Sequence, residues 1–382
     1  MTKNNYKRLG DFIQRVDVRN TENEDFPLMG VSVQKYFIPS IANTVGTDFK
    51  KYKIVERNQF TYIPDTSRRG DKIGVALFDD YEKGLVSQAY TTFEIVDFNK
   101  LHPEYLMMWF RRPEFDRYAR YHSIGSVREV FDWNDMCDVE LPVPSIEKQR
   151  EIVQEYQAVE KRIALNEEMI AKLEETAQAV YREWFVEFEF PDEDGKPYKS
   201  NGGKMVWNEE LEKEVPEGWD EVQLGTIMEI TSGKPSINKN EIKENEFIYP
   251  IFGAGGVMGY SSNFLYNERI LSMGRVGTHG VIQRINSPCW TTDNTLVLKT
   301  QNYEYVYNIL LSINYDEINR GGVQGLITQT DIKEYKILLP IEDILQNFED
   351  MSSKVMNKTE ILSLENQKLE ELKDLLLTRM VR

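Results

Sequence analysis

The chain is poor in the residues that build disulfide frameworks and metal centres. Its 382 residues hold two cysteines, Cys137 and Cys289, and three histidines, His102, His122 and His279, each isolated. Two thiols exclude a disulfide-stapled scaffold and imply a reducing, cytoplasmic setting. Single histidines give no zinc-ligand spacing. No apolar run approaches the roughly 20 residues that a membrane-spanning helix needs. The first eight residues are polar and basic and lead into no apolar segment, so no secretory signal is expected. A glycine loop with a Walker lysine is missing, which excludes ATP binding of that kind. Missing too is the amino-methyltransferase tetrapeptide, Asn or Asp followed by two prolines and an aromatic. For nuclease chemistry, Pro64-Asp65 has no acid-x-Lys partner.

Positive charge is also short: 46 Lys and Arg stand against 63 Asp and Glu, a formal charge of −17. More than half of that excess lies in residues 145–219, with 10 basic and 19 acidic side chains. Residues 1–144 carry 20 and 22, and residues 220–340 carry 10 and 13, so both segments are close to neutral. A field of this sign opposes non-specific DNA binding, which rests on phosphate neutralisation. Any DNA binding by the isolated chain should be weak and should need a basic partner.

What is present is a repeat. Gly125-Ser126-Val127 parallels Gly321-Gly322-Val323, Asp135 parallels Asp331, Pro144 parallels Pro340, and Leu173-Glu174-Glu175 parallels Leu369-Glu370-Glu371. All four pairs are separated by 196 positions. Earlier in each half the offset drifts, from Leu9-Gly10 with Leu224-Gly225 to Gly74-Val75 with Gly280-Val281, as insertions in loops would cause. Two units are too few for a solenoid, so a pseudo-twofold pair of modules is expected.

The rigidly spaced part reads as a long helix. Residues 146–185 contain neither Gly nor Pro. Tyr156, Ile163, Ile170, Ala177 and Trp184 recur every seven, and Val159, Asn166, Leu173 and Val180 form a second row, the a and d pattern of a coiled-coil seam. Phe348, Val355, Leu362, Leu369 and Leu376 repeat it, with Ile361, Leu364, Leu372 and Leu375 expected to widen the stripe. Such a helix is about 60 Å long, and antiparallel pairing of the two is the simplest packing. Ser145 is the expected N-cap. Asn166 on an apolar row either fixes register or sits partly exposed. The expected fold is α+β or α/β: two globular modules, residues 1–144 and 220–340, and two long coiled-coil helices, residues 145–190 and 341–382, with a turn-rich linker over 191–219. Short β-like runs (60–63, 92–95, 296–298) alternate with helical patterns (105–120, 305–313).

At Tyr198-Lys-Ser-Asn-Gly-Gly-Lys-Met-Val206, Val215-Pro-Glu-Gly-Trp219 and Leu224-Gly225 the chain resembles the specificity subunit of type I restriction–modification enzymes. Leu141-Pro-Val-Pro144 with Gln149, Leu338-Leu-Pro340 and Tyr181-Arg-Glu-Trp-Phe185 carry the same likeness, which spans the whole chain. The resemblance implies a non-catalytic bipartite reader of double-stranded DNA. Each target-recognition domain would read one half of a split site, and the antiparallel helices would act as the spacer. It implies two modification subunits that bind S-adenosylmethionine and methylate adenine, and restriction subunits that use ATP and Mg; no cofactor is expected on this chain. One departure stands out: Met380-Val381 occupies the place that Trp184-Phe185 has in the first helix.

Candidate DNA-contacting residues follow from the matched loops. Gly125, Ser126 and Arg128, with Gly321, Gly322 and Gln324 in the second half, combine close backbone approach with side chains that reach a phosphate or base edge. Arg68, Arg69 and Lys72, with Arg275, Thr278 and His279, supply phosphate grips. Tight turns or solvated hairpin tips are the structural alternatives. Lys50-Lys51-Tyr52-Lys53 reads better as a solvated face. Tyr181, Trp184 and Phe185 either dock a modification subunit or bury within the chain's own interface. Phe252-Gly-Ala-Gly-Gly256 is only faintly like an S-adenosylmethionine loop and reads better as a flexible loop. Asp331-Ile-Lys333 reads as a cap. Two other functions remain open: a single-chain methyltransferase or nuclease, and a coiled-coil scaffold without a DNA role.

Overall fold

A computed structural model describes residues 5–40, 46–67, 72–123, 129–235, 238–276, 280–318 and 326–381. The chain divides into two compact units: Met1–Asn166 with Leu364–Arg382, and Glu167–Ser363. Both boundaries cut the long helices, Ile146–Phe185 and Glu342–Arg379, near their middles. Each unit therefore holds one module, half of the first spacer helix and half of the second.

The two modules share one topology. In the first unit a four-stranded sheet has the order Ile13–Val16, Thr91–Ile95, Phe60–Tyr62, Val75–Leu77. In the second the order is Glu229–Ser232, Thr295–Lys299, Ile270–Gly274, Ile282–Ile285. Every ladder in both sheets is antiparallel, which decides for α+β. In each unit a strand at the front of the module pairs with the strand before the spacer helix, Tyr6–Arg8 with Glu140–Pro142 and Asp220–Gln223 with Lys336–Leu339. The short helices Trp133–Cys137 and Gln329–Lys333 keep the 196-residue offset. So do Gly10 and Gly225 in their contacts. A Cβ on Gly10 would lie 2.8 Å from Cys137 Cβ, and one on Gly225 would lie 3.0 Å from Lys333 Cβ. Only glycine lets the 3-10 turn approach that helix so closely.

The helix expected over 105–120 is two helices, Pro103–Phe110 and Pro113–His122. Pro113 is the cause: it lacks an N–H and drives Arg112 out of the helical region, to φ −75° and ψ 139°. Lys53 of the basic run is not solvated. It is 2% exposed, and its Nζ donates to Tyr90 O at 2.7 Å and sits 3.4 Å from Asp17. The linker folds on its own unit. Phe190 stacks on Tyr198 and Trp219, and Met205–Asn208 pairs with Lys213–Pro216 as a hairpin.

The seam follows the two apolar rows read from the sequence. Ser145 Oγ accepts from Lys148 N at 3.4 Å and starts the first spacer helix. In the first unit Tyr156 shares a core with Leu376, Arg162 makes a two-pronged ion pair with Glu365, and Asn166 Nδ2 donates to Asn366 Oδ1 at 2.8 Å. In the second unit Trp184 packs on Phe348 with ring centres 6.0 Å apart. Residue numbers rise on one helix as they fall on the other, so in each unit the helix halves run antiparallel. Asn166 is fully buried, which removes the partly exposed alternative. Ile361, Leu364, Leu372 and Leu375 do not widen the stripe; they are 41–61% exposed, on the solvent side of the second helix.

Candidate nucleic-acid interface

The candidate loops lie at strand ends, and the two units build their stems alike. In the first unit the strand Phe60–Tyr62 runs out through Pro64. Phe131 N–H donates to Pro64 O at 2.9 Å, Thr66 N–H donates to Glu129 O at 3.0 Å, and Asp65 forms an antiparallel bridge with Val130. The chain entering 68–71 is thus laced to the chain leaving 124–128. In the second unit the strand Ile270–Gly274 runs into Arg275. Ile327 N–H donates to Arg275 O at 3.0 Å, and Val276 bridges Leu326. Phe131 and Ile327 are again 196 residues apart. In each unit equivalent backbone bonds pair the described residues that flank two candidate segments distant in sequence.

Of the predicted contact residues, Lys72 and Arg275 are described. Lys72 is exposed, and Arg275 is half-buried with its backbone N–H held by Asn294 O. Arg68, Arg69, Gly125, Ser126, Arg128, Thr278, His279, Gly321, Gly322 and Gln324 lie outside the described residues.

The first stem rests on a buried ion pair that the sequence did not reveal. Lys35 is 6% exposed; its Nζ sits 2.5 Å from Asp116 Oδ1 and donates to Ile73 O at 3.0 Å. Asp116 Oδ1 also accepts from Ile73 N at 3.1 Å. The residue after Lys72 is thereby clamped at both backbone atoms. Burial pushes the Lys35 ammonium down; Asp116 opposes that and Lys72 adds to it. Beside the stem, Pro113–His122 ends in Tyr121, 83% exposed, and His122, whose ring lies on Tyr118 and whose Nδ1 is 3.4 Å from Asp135. A buried lysine with carboxylate and carbonyl partners has no linear motif, since the lysine and its two partners come from three separate segments.

In the second unit Thr328 and Asp331 close a capping box over the short helix after the loop. Phe252-Gly-Ala-Gly-Gly256 is the tip of the hairpin Tyr249–Gly253 with Gly256–Ser261. Gly256 has a φ of +131°, a turn requirement that accounts for glycine there. Phe185 is 8% exposed and packs on Tyr305, Phe348 and Trp219; Tyr181 and Trp184 are half-buried against the same core. Glu349, from the second spacer helix, accepts from Glu304 N and Tyr305 N at 3.1 and 2.8 Å and caps the helix Tyr303–Ser312. Burial pushes its carboxyl up to about 7 against those two bonds. In the first unit Gln149 does the corresponding work, accepting from His102 N at 2.8 Å.

Among the described residues no group of three or more His, Cys, Asp or Glu is placed to hold a metal ion, and no helix is long and apolar enough to cross a membrane.

A family model described as type I restriction modification DNA specificity domain matches residues 3–175 and 216–373. The chain belongs to that family. The two matched stretches correspond to the two modules with their helices, so the specificity-domain repeat and the structural repeat are the same. The chain is similar to the type I restriction enzyme MjaIX specificity subunit of Methanocaldococcus jannaschii, 26% identical in an alignment that covers 73% of this chain and 68% of the relative. It is also similar to the HindI specificity subunit of Haemophilus influenzae, 21% identical, with 91% of each chain covered. Its fold is that of the type I restriction–modification S subunit from M. genitalium, at 16% identity with a TM-score of 0.59, covering 98% of this chain and 95% of the other.

Proposed function

We propose that this specificity-family chain is the DNA-recognition subunit of a type I restriction–modification complex and reads a two-part DNA site, one half per unit. The observation that carries this reading is the doubled stem. In each unit, equivalent bonds at Phe131–Pro64 and Ile327–Arg275 pair the chain flanking two sequence segments of basic, glycine-rich or hydrogen-bonding composition. Half-sites held by two modules on one frame are read at a fixed spacing.

The chain itself performs no reaction in this reading. Modification subunits, two per chain, supply S-adenosylmethionine and the adenine-N6 transfer, and restriction subunits supply ATP- and Mg-dependent steps. The acidic charge fits a reader whose affinity depends on partners, since a net charge of −17 opposes phosphate contact by the chain alone.

Long-read mapping of N6-methyladenine tests the reading, in a host with and without this gene and with its modification gene intact. A split motif with a fixed gap should vanish on deletion. Methylation that does not depend on the gene favours the scaffold alternative, and methyl transfer by the purified chain alone favours the enzyme.

A further inference from the structure

The Asn166–Asn366 layer has an asymmetry that the repeat exposes. At the 196-residue offset, Asn166 corresponds to Leu362 and Asn366 corresponds to Ile170. The register set by Asn166–Asn366, Tyr156–Leu376 and Trp184–Phe348 puts Ile170 in the layer of Leu362 within the second unit. One central layer is therefore polar on both helices and its repeat counterpart is apolar on both. Asn166 is wholly buried, and among the described residues its Oδ1 has no hydrogen-bond partner. Such a layer costs stability compared with an apolar one, so its contribution is selectivity.

The competing structures are fixed by the same repeat. Because the two spacer helices are equivalent, two copies of the chain could pair first helix with first helix and second with second in the same register. The first-helix pair would set Asn166 against Ile170 of the other copy, twice. The second-helix pair would set Asn366 against Leu362, twice. Every asparagine would then be buried against an aliphatic side chain, with no amide to bond. Only the pairing of first helix with second matches Asn to Asn and Ile to Leu.

We infer that Asn166 and Asn366 select which helices pair, holding the chain to its own first-with-second pairing and against exchange with a second copy. Tethering adds to this choice by raising the effective concentration of the chain's own partner helix. The inference concerns the frame alone and stands apart from the DNA-reading proposal.

Exchanging Ile170 with Asn366 (Ile170→Asn, Asn366→Ile) tests it with composition unchanged. That variant mismatches both central layers within a chain and matches all of them in a two-copy pairing. Exchanging Asn166 with Leu362 (Asn166→Leu, Leu362→Asn) does the same from the other side. All four substitutions together restore an Asn–Asn layer and an apolar layer within one chain. Light scattering of the full chain at micromolar concentration should read one copy for the wild type, a doubled mass for each exchange, and one copy again for the fourfold variant. An exchange variant that unfolds but is rescued in the fourfold variant also supports the selection. A wild type of doubled mass overturns it. So do exchange variants that remain single copies, or a fourfold variant that is not restored.

Discussion

Ile327 donates its backbone N–H to the carbonyl of Arg275 at 3.0 Å, and 196 residues earlier Phe131 makes the same bond to Pro64 at 2.9 Å. The pair marks equivalent positions in the frames of the two modules, next to the candidate contact segments of the sequence. Side chains just beyond these bonds are the ones to change first.

Arg275→Ala should weaken the chain's complex on its DNA site, with its unit still folded, because the stem bonds of Arg275 among the described residues run through its backbone. If the guanidinium grips a phosphate, affinity falls for all sequences alike and the salt-dependence slope drops by about 1. If it reads a base, one position of the second half-site relaxes, with a loss of about 1–3 kcal/mol. Binding isotherms at several salt concentrations separate the two outcomes. Unchanged binding at every salt concentration removes Arg275 from the interface.

Removing one member of the buried clasp should be costly in the first unit. Lys35→Met leaves the Asp116 carboxylate buried without its ammonium and should destabilise that unit by about 3–5 kcal/mol. The double variant Lys35→Met, Asp116→Leu should recover much of the loss. Thermal unfolding checks both; equal losses for the single and double variants would show that packing, not charge, sets the cost.

The two equivalent glycines should rank by their contacts. Gly10→Ala drives a methyl to 2.8 Å from Cys137 Cβ and 3.1 Å from its carbonyl oxygen, while Gly225→Ala meets Lys333 at 3.0–3.1 Å. Overpacking of this kind costs about 1–3 kcal/mol. The larger fall in melting temperature is expected for Gly10→Ala.

Glu349 gives the second unit a pH dependence. Its folded carboxyl is raised to about 7 from 4.5. Between those values the folded state binds more protons than the unfolded state, so stability falls as pH rises from about 5 through 7 and levels off above. The whole effect is at most about 3 kcal/mol. Glu349→Gln should flatten the melting temperature against pH over that window. A wild-type curve already flat there contradicts the assignment.

Most of the frame was legible in the sequence because it is periodic. The seven-residue rows at Tyr156 to Trp184 and Phe348 to Leu376 became the seam, and the fixed offset located the equivalent strands and short helices. The exposed leucines and isoleucine of the second helix were misplaced, since a wide apolar stripe does not say which edge is covered. The Lys35–Asp116 clasp and the buried Lys53 were not legible, because their partners come from segments joined only by the fold. Pro113 could have been read as a helix break, and its effect on Arg112 is the ordinary one.

The central claim, one half-site per unit, is tested most directly by exchanging residues 1–144 for the corresponding segment of another family member and mapping N6-methyladenine in the same host. The account predicts that one half of the split motif changes while the other half and the gap stay as they were. A motif altered in both halves, or in neither, would contradict it.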